Sequence, residues 1–348
     1  MGDINKLLIS HVERRTILKG ALATGAMALA APLVARAAPP VLRYAVAGIV
    51  GPGETETIVQ LDWMKKNVLK RYGKDYTIEV TTARGTPGTA ALLASGQADI
   101  GTSAFPVLAS IIQKDAVPGG VKVIAEIHRD AQPGYASNAY AVLKDSPLQS
   151  VADLKGKTVA VNAFGTSVDL ILRIALKKAG LDPKRDVRLV ELPFANVGTA
   201  LRQGRVDVGS LVMPFQIEEE KRGELRILFN GIGVVEPYPV LFQLARQEFL
   251  EKNKDVAQAW LADYVDAVNW LHDPENRKQA VAITAELIKS TPEELDAWFL
   301  TKRDFYRENP PRPSAENIQP LVDAMAELGF LTGSVSVKEH IDGSYLPA

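Results

Sequence analysis

Residues 161–181, VNAFGTSVDLILRIALKKAGL, begin as an apolar strand pattern, break at Phe164-Gly165 and continue with helical spacing. The break places Gly165, Thr166 and Ser167 where a helix leaves its first N–H groups without intrahelical partners and carries partial positive charge. A hydroxyl at that point has two chemistries open to it. It caps the helix, which is worth roughly 1 kcal/mol, or it joins the free N–H groups in cradling an anion. Arg84, in TTARGTPG after another strand pattern, is a surface arginine on its plain reading. At a strand's carboxyl end its planar guanidinium also suits a carboxylate or sulfonate, gripped through two parallel hydrogen bonds. Asp169 either stabilises the first helical turn or, facing a cleft, meets an amine or hydroxyl of a ligand. Phe105, Phe164, Phe194 and Phe215 fall at or near loop ends, where they pack in the core or together wall an apolar cleft suited to an organic anion.

Asp99 and Asp207 invite an acid–base reading, but each sits at the same place in a repeated element, LLASGQADIG at 92–101 and ALRQGRVDVG at 200–209. Matched positions after a glycine stop predict a turn-capping role in each copy, with Gly96 and Gly204 as helix C-caps. No constellation of nucleophile and general base is recognisable, so no catalytic residue is assigned.

The elements that must position these residues alternate. Strand patterns at 42–47, 76–82, 121–127, 158–162, 187–192 and 225–229 are interleaved with helical patterns at 55–71, 88–95, 106–113, 167–179, 197–203 and 213–222, with short buried strands at the two Asp-x-Gly repeats. Such alternation predicts an α/β protein with two mostly parallel sheets, each with helices on both faces. SNAYAVL (137–143) leads into the second sheet and VVEPYPVLF (234–242), broken by Pro237 and Pro239, leads out; helical patterns at 255–271, 277–289 and 291–306 follow. The expected organisation is a first lobe from 38–137 and 243–348, a second lobe from 138–242 including the hinge segments, and two crossover segments joining them as a clamshell.

Composition narrows the partners. Glu13-Arg14-Arg15-Thr16-Ile17-Leu18-Lys19, the Ala-rich stretch 20–33 and Ala35-Arg36-Ala37 read as a twin-arginine export signal over 1–37 with a small-x-small cleavage site. Its removal leaves 35 basic against 39 acidic residues, a net charge near −4, with no basic field for nucleic acid. Cysteine is absent, which excludes disulfides, thiolate metal sites and a lipid-anchored cysteine; His128, His272 and His340 are too scattered for a metal site. No metal or cofactor is expected.

The paired LLASGQADIG and ALRQGRVDVG elements resemble the A-L-x-x-G-x-x-D-x-G element of type II periplasmic binding proteins, and LKGKTVAV (154–161) followed by Gly165-Thr166-Ser167 resembles the opening of their second lobe. Within that fold the chain is most similar to the nitrate, sulfonate and taurine import family, over roughly residues 41–320. The resemblance implies a non-enzymatic periplasmic receptor for a small organic anion, an alkane or aryl sulfonate or a taurine-like molecule. It further implies a monomer that delivers this ligand to an ABC permease and ATPase complex in the inner membrane. It places ligand contacts in the loop 48–55, which includes Gly51, in 102–106, which includes Ser103, Ala104 and Phe105, in 164–169, at Asn196, and in 212–215, which includes Met213 and Phe215. Two alternatives stay open on the sequence: a receptor for an aromatic carboxylate such as a phthalate, and a biosynthetic enzyme on the same fold.

Overall fold

The computed structural model describes residues 38–47 and 58–348; the predicted export signal and Gly51 with its glycine-rich turn lie outside the described residues. The first sheet is built from β1 (Val41–Val46), β2 (Thr77–Thr82), β3 (Ile100–Ser103), β4 (Val121–Asp130) and β10 (Tyr238–Arg246), in the order β2-β1-β3-β10-β4. The second contains β5 (Ala139–Leu143), β6 (Thr158–Val161), β7 (Arg188–Glu191), β8 (Val208–Leu211) and β9 (Leu225–Asn230), in the order β7-β6-β8-β5-β9. In each sheet one strand, β10 or β5, runs against the other four. The helices between strands are α1 (Asp62–Asn67), α2 (Gly85–Ala94), α3 (Phe105–Lys114), α4 (Ser167–Lys178), α5 (Phe194–Arg202) and α6 (Phe215–Arg222).

The repeated Asp-x-Gly element has a shared physical job. Asp99 accepts from Arg43 N at 3.0 Å and from its guanidinium, and Asp207 accepts from Thr158 N at 2.8 Å. Each carboxylate therefore satisfies the N–H near the start of the neighbouring central strand, β1 or β6, in place of capping its own turn. Gly96 and Gly204 follow their helices at φ +70° and +65°, a left-handed stop without a Cβ penalty.

Two sequence expectations change. Tyr238–Phe242, expected as part of the connection leading out of the second sheet, pair with β4 in the first sheet. Pro237 and Pro239 suggested a broken connection, but β10 absorbs Pro239 through a register shift between Pro239 and Leu241, where a missing donor is tolerated. The helix expected over 291–306 shrinks to α10 (Pro292–Asp296). Beyond it Leu300 turns left-handed at φ +54°, and the Asp304 carboxylate takes the N–H groups of Leu300 (3.0 Å) and Phe305 (2.7 Å) that a helix would have used.

The tail also contains α7 (Gln247–Lys252), α8 (Lys254–His272), α9 (Arg277–Ile288) and α11 (Gln319–Glu327). Trp260 and Tyr264 of α8 are fully buried with Leu42, Tyr44 and Ile100 on one face of the first sheet, and Trp260 Nε1 donates to Gln243 Oε1 at 2.8 Å. Asp263 of the same helix, also fully buried, accepts from Arg71 N, Tyr72 N and Tyr76 Oη, so its charge is offset by converging donors.

Candidate functional site

The topology brings two strand edges together. β4 ends at Asp130 on the carboxyl edge of the first sheet's parallel strands, and residues 131–138 carry the chain to the start of β5, an antiparallel strand that begins on the carboxyl edge of the second sheet. The return from β9 through 231–237 to β10 joins the same two edges. Ligands of open α/β sheets bind at carboxyl edges, where helix N-termini converge.

At the hinge a single carboxylate gathers both crossovers. Asp130 is fully buried; its Oδ1 accepts from Ala131 N (2.6 Å) and Asn138 N (3.2 Å), and its Oδ2 from Asn138 Nδ2 (2.8 Å) and Tyr238 Oη (3.2 Å). Ser137 Oγ accepts from Gly231 N at 3.1 Å, tying the second crossover to the first. Burial pushes the Asp130 carboxyl up, against the pull of these hydrogen bonds.

In the second lobe the hydroxyl pair divides its labour. Thr166 is the N-cap of α4: its hydroxyl accepts from Asp169 N at 3.4 Å and donates toward Ala163 O (2.8 Å) or Asn162 Oδ1 (3.0 Å). Ser167 Oγ has no hydrogen-bond partner among the described residues, and neither have the backbone N–H groups of Thr166 and Ser167. Gly165 turns at φ +74°, which spares the loop a Cβ penalty, and donates to Asp169 Oδ2 at 2.9 Å. Asp169 is fully buried and its other oxygen takes Arg173 Nε at 2.7 Å, so both oxygens are engaged inside the protein. It is a brace of the loop and does not present a carboxylate to a ligand amine.

Phe164, Phe194 and Phe215 follow β6, β7 and β8 respectively at the same edge. Phe164 is 49 % exposed, with the Arg173 guanidinium 5.9 Å from its ring, and the Phe194 and Phe215 rings stack at 6.5 Å. Phe105 does not join them: it is fully buried and meets Tyr238 edge-to-face at 5.6 Å, leaving three of the four expected rings. Asn196 is exposed in the first turn of α5. Met213 is buried against Trp298 and Phe299 of the tail, a contact no local sequence pattern announces.

In the first lobe Arg84 stands exposed as the N-cap residue of α2, just past β2, and its side chain has no partner among the described residues. Ser103, at the end of β3, is fully buried with its Oγ unpaired among the described residues, and Ala104 is the extended N-cap residue of α3. Arg129, by contrast, is held by Glu126 (2.6 Å) and Glu308 (2.7 Å). Two cavities among the described residues lie away from these edges. One of about 900 Å³, lined by Pro40, Arg71, Lys254, Tyr345 and Ala348, lies by the start of β1, and one of about 510 Å³ lies around Lys144, Arg202 and Glu224.

His128, on β4, stacks on Phe305 at 4.8 Å; burial, reinforced by the charge of Arg307, pushes its pKa down to about 3. The folded value lies below the ordinary 6.5, so the unfolded chain gains a proton first and stability falls as pH drops from 6.5 toward 3. Between pH 7 and pH 5 we expect a loss of about 1–2 kcal/mol from this residue, measurable as a lower urea midpoint. The loss should shrink by that amount in His128→Phe and leave the part due to His272, whose pKa is pushed down to about 4 by burial and the charges of Arg307 and Arg277. An equal loss in that variant would contradict the assignment.

With this geometry in view, the fold is that of the periplasmic binding proteins: the periplasmic aliphatic sulphonate binding protein SsuA from Escherichia coli superposes with a TM-score of 0.70 at 23 % identity, over 87 % of this chain and 92 % of that one. The chain belongs to the NMT1-like family, whose profile matches residues 56–315. It is 30 % identical over 193 residues to a putative aliphatic sulfonates-binding protein of Escherichia coli (strain K12), covering 55 % of this chain and 56 % of the relative. It is 26 % identical over 193 residues to the nitrate/nitrite binding protein NrtA of Synechococcus elongatus, covering 52 % and 43 %. The chain thus spans about half the length of the curated relatives it matches.

Proposed function

We propose that the protein is a periplasmic receptor that encloses a small organic anion, a sulfonate in preference to bare nitrate, between its two strand edges and passes it to an ABC permease and ATPase complex in the inner membrane. In this reading it works as a monomer, freed from its export signal, and makes and breaks no covalent bond. The observation that carries the reading is the division of roles at 165–169. Thr166 and Asp169 are consumed in shaping the turn, while Ser167 Oγ and the N–H groups of Thr166 and Ser167, at a helix N-terminus, have no partner among the described residues. Arg84, on the opposite lobe, supplies the charge. Ser103 and Ala104 add donors from the first lobe, and Asn196 and Met213 border the site from the second. Three phenylalanines at one edge favour a ligand with an apolar body.

A thermal-shift screen of the processed protein tests this against alkanesulfonates, taurine, aromatic sulfonates, aromatic mono- and dicarboxylates and nitrate. Stabilisation is expected from organic sulfonates above nitrate, because only they fill the apolar part of the site while engaging its donors. A larger shift with aromatic dicarboxylates would move the assignment to that class. No shift with any anion would remove the receptor reading.

A further inference from the structure

One helix of the tail is apolar on two sides. Ala280 and Ile283 of α9 join the cluster beneath the first sheet that contains Trp260. Val281 and Ala285, one turn apart on another face, pack with Trp298 and Phe299 in a separate cluster. That cluster is completed from the second lobe by Met213 and Ile217, the first in the loop before α6 and the second on α6 itself; both are less than 10 % exposed. An amphipathic surface helix has one apolar stripe, so two stripes mean that the helix is packed between two bodies.

The tail side of this contact is fixed to the first lobe and to the hinge. Arg277 Nε pairs with Asp296 at 2.8 Å and its Nη1 donates to Phe299 O at 2.6 Å, holding the segment after α10 against α9. Arg129 N on β4 donates to Tyr306 O at 2.7 Å, and Ala136 N in the first crossover donates to Asp304 O at 3.1 Å. At the rim, two ion pairs reach across to α6: Arg303 to Glu220 at 2.5 Å and Lys221 to Glu294 at 3.8 Å. All four of these side chains are exposed, so the buried apolar contact supplies most of the attraction and the ion pairs fix its register.

We propose that residues 277–303 form an inter-lobe clasp on α6, with Trp298 as a positioning residue for the loop at 211–215. Rotation of the lobes apart has to separate Ile217 and Met213 from Trp298 and expose all three to water. The clasp therefore holds the unliganded protein toward its closed arrangement and raises apparent affinity by raising the population competent to hold a ligand. The affinity consequence rests on the receptor reading above; the shape consequence does not.

Small-angle scattering of the ligand-free protein separates the two. Trp298→Ala and Ile217→Ala should each enlarge the radius of gyration and weaken binding of an alkanesulfonate about ten-fold. Because a buried substitution can also loosen a lobe, the exposed pair supplies the control: Glu220→Arg should enlarge the radius, and Glu220→Arg combined with Arg303→Glu should return it to the parent value. Enlarged radii without any anion binding would retain the clasp and remove the receptor reading. Unchanged radii in all four variants, with anion binding intact, would overturn the clasp and retain the receptor.

Discussion

Replacing Arg84 with alanine is expected to weaken anion binding roughly 30-fold, about 2 kcal/mol, the usual worth of a charge-assisted hydrogen-bonded contact. The same change should leave the melting temperature of the ligand-free protein within about a degree, because Arg84 is exposed and its side chain holds no partner among the described residues. That combination separates a ligand contact from a structural arginine. Arg43 makes the contrast, since its guanidinium is spent on Asp99 and Gly96. Arg84→Lys should recover part of the affinity, as a point charge replaces a planar fork. Calorimetric titration with the anion that gives the largest thermal shift measures both variants. An unchanged dissociation constant in Arg84→Ala would remove this residue from the site.

The second large effect is on stability. Asp130→Ala leaves Ala131 N, Asn138 N, Asn138 Nδ2 and Tyr238 Oη in a fully buried hinge without their common acceptor. Each abandoned donor costs about 1–3 kcal/mol, and partial relaxation brings the expected loss to about 3–5 kcal/mol. Urea denaturation at pH 7 reads it directly. Tyr238→Phe removes one donor and leaves the carboxylate its other partners, so a loss near 1 kcal/mol is expected there. If Asp130→Ala lost no more than Tyr238→Phe, the carboxylate would not be the point at which the crossovers are joined.

The strand-to-helix junction at 161–167 was legible because its signals are local: an apolar run, a glycine, a hydroxyl cap and a first-turn aspartate within a few residues. The two-sheet architecture was legible for the same reason, through the repeated helix, glycine stop and Asp-x-Gly strand. What stayed hidden depends on partners far along the chain. For Phe105 the sequence left core packing and a cleft wall both open, and the distant Tyr238, which meets its ring edge-to-face, is what places it in the core. Asp130 carries no motif, and the tyrosine that completes its shell is 108 positions away. The tail read as plain amphipathic helix, although α9 is apolar on two sides because it serves two clusters, and the helix expected over 291–306 yields to Asp304. The hydroxyl pair shows the limit most clearly: type and spacing placed Thr166 and Ser167 together, but only the bond from Asp169 N assigns the cap to Thr166, while Ser167 Oγ has no partner among the described residues.

The central claim is that an anion sits between the carboxyl edges of the two sheets. Crystals grown with an excess of 2-bromoethanesulfonate test it most directly, because bromine's anomalous scattering locates the ligand without reference to side-chain density. The account predicts one strong anomalous peak between Arg84 and the start of α4, with the sulfonate oxygens in reach of Ser167 and the N–H groups of Thr166 and Ser167. A peak instead at the cavity by Arg71 and Ala348, or no peak where calorimetry has established saturation, would contradict it.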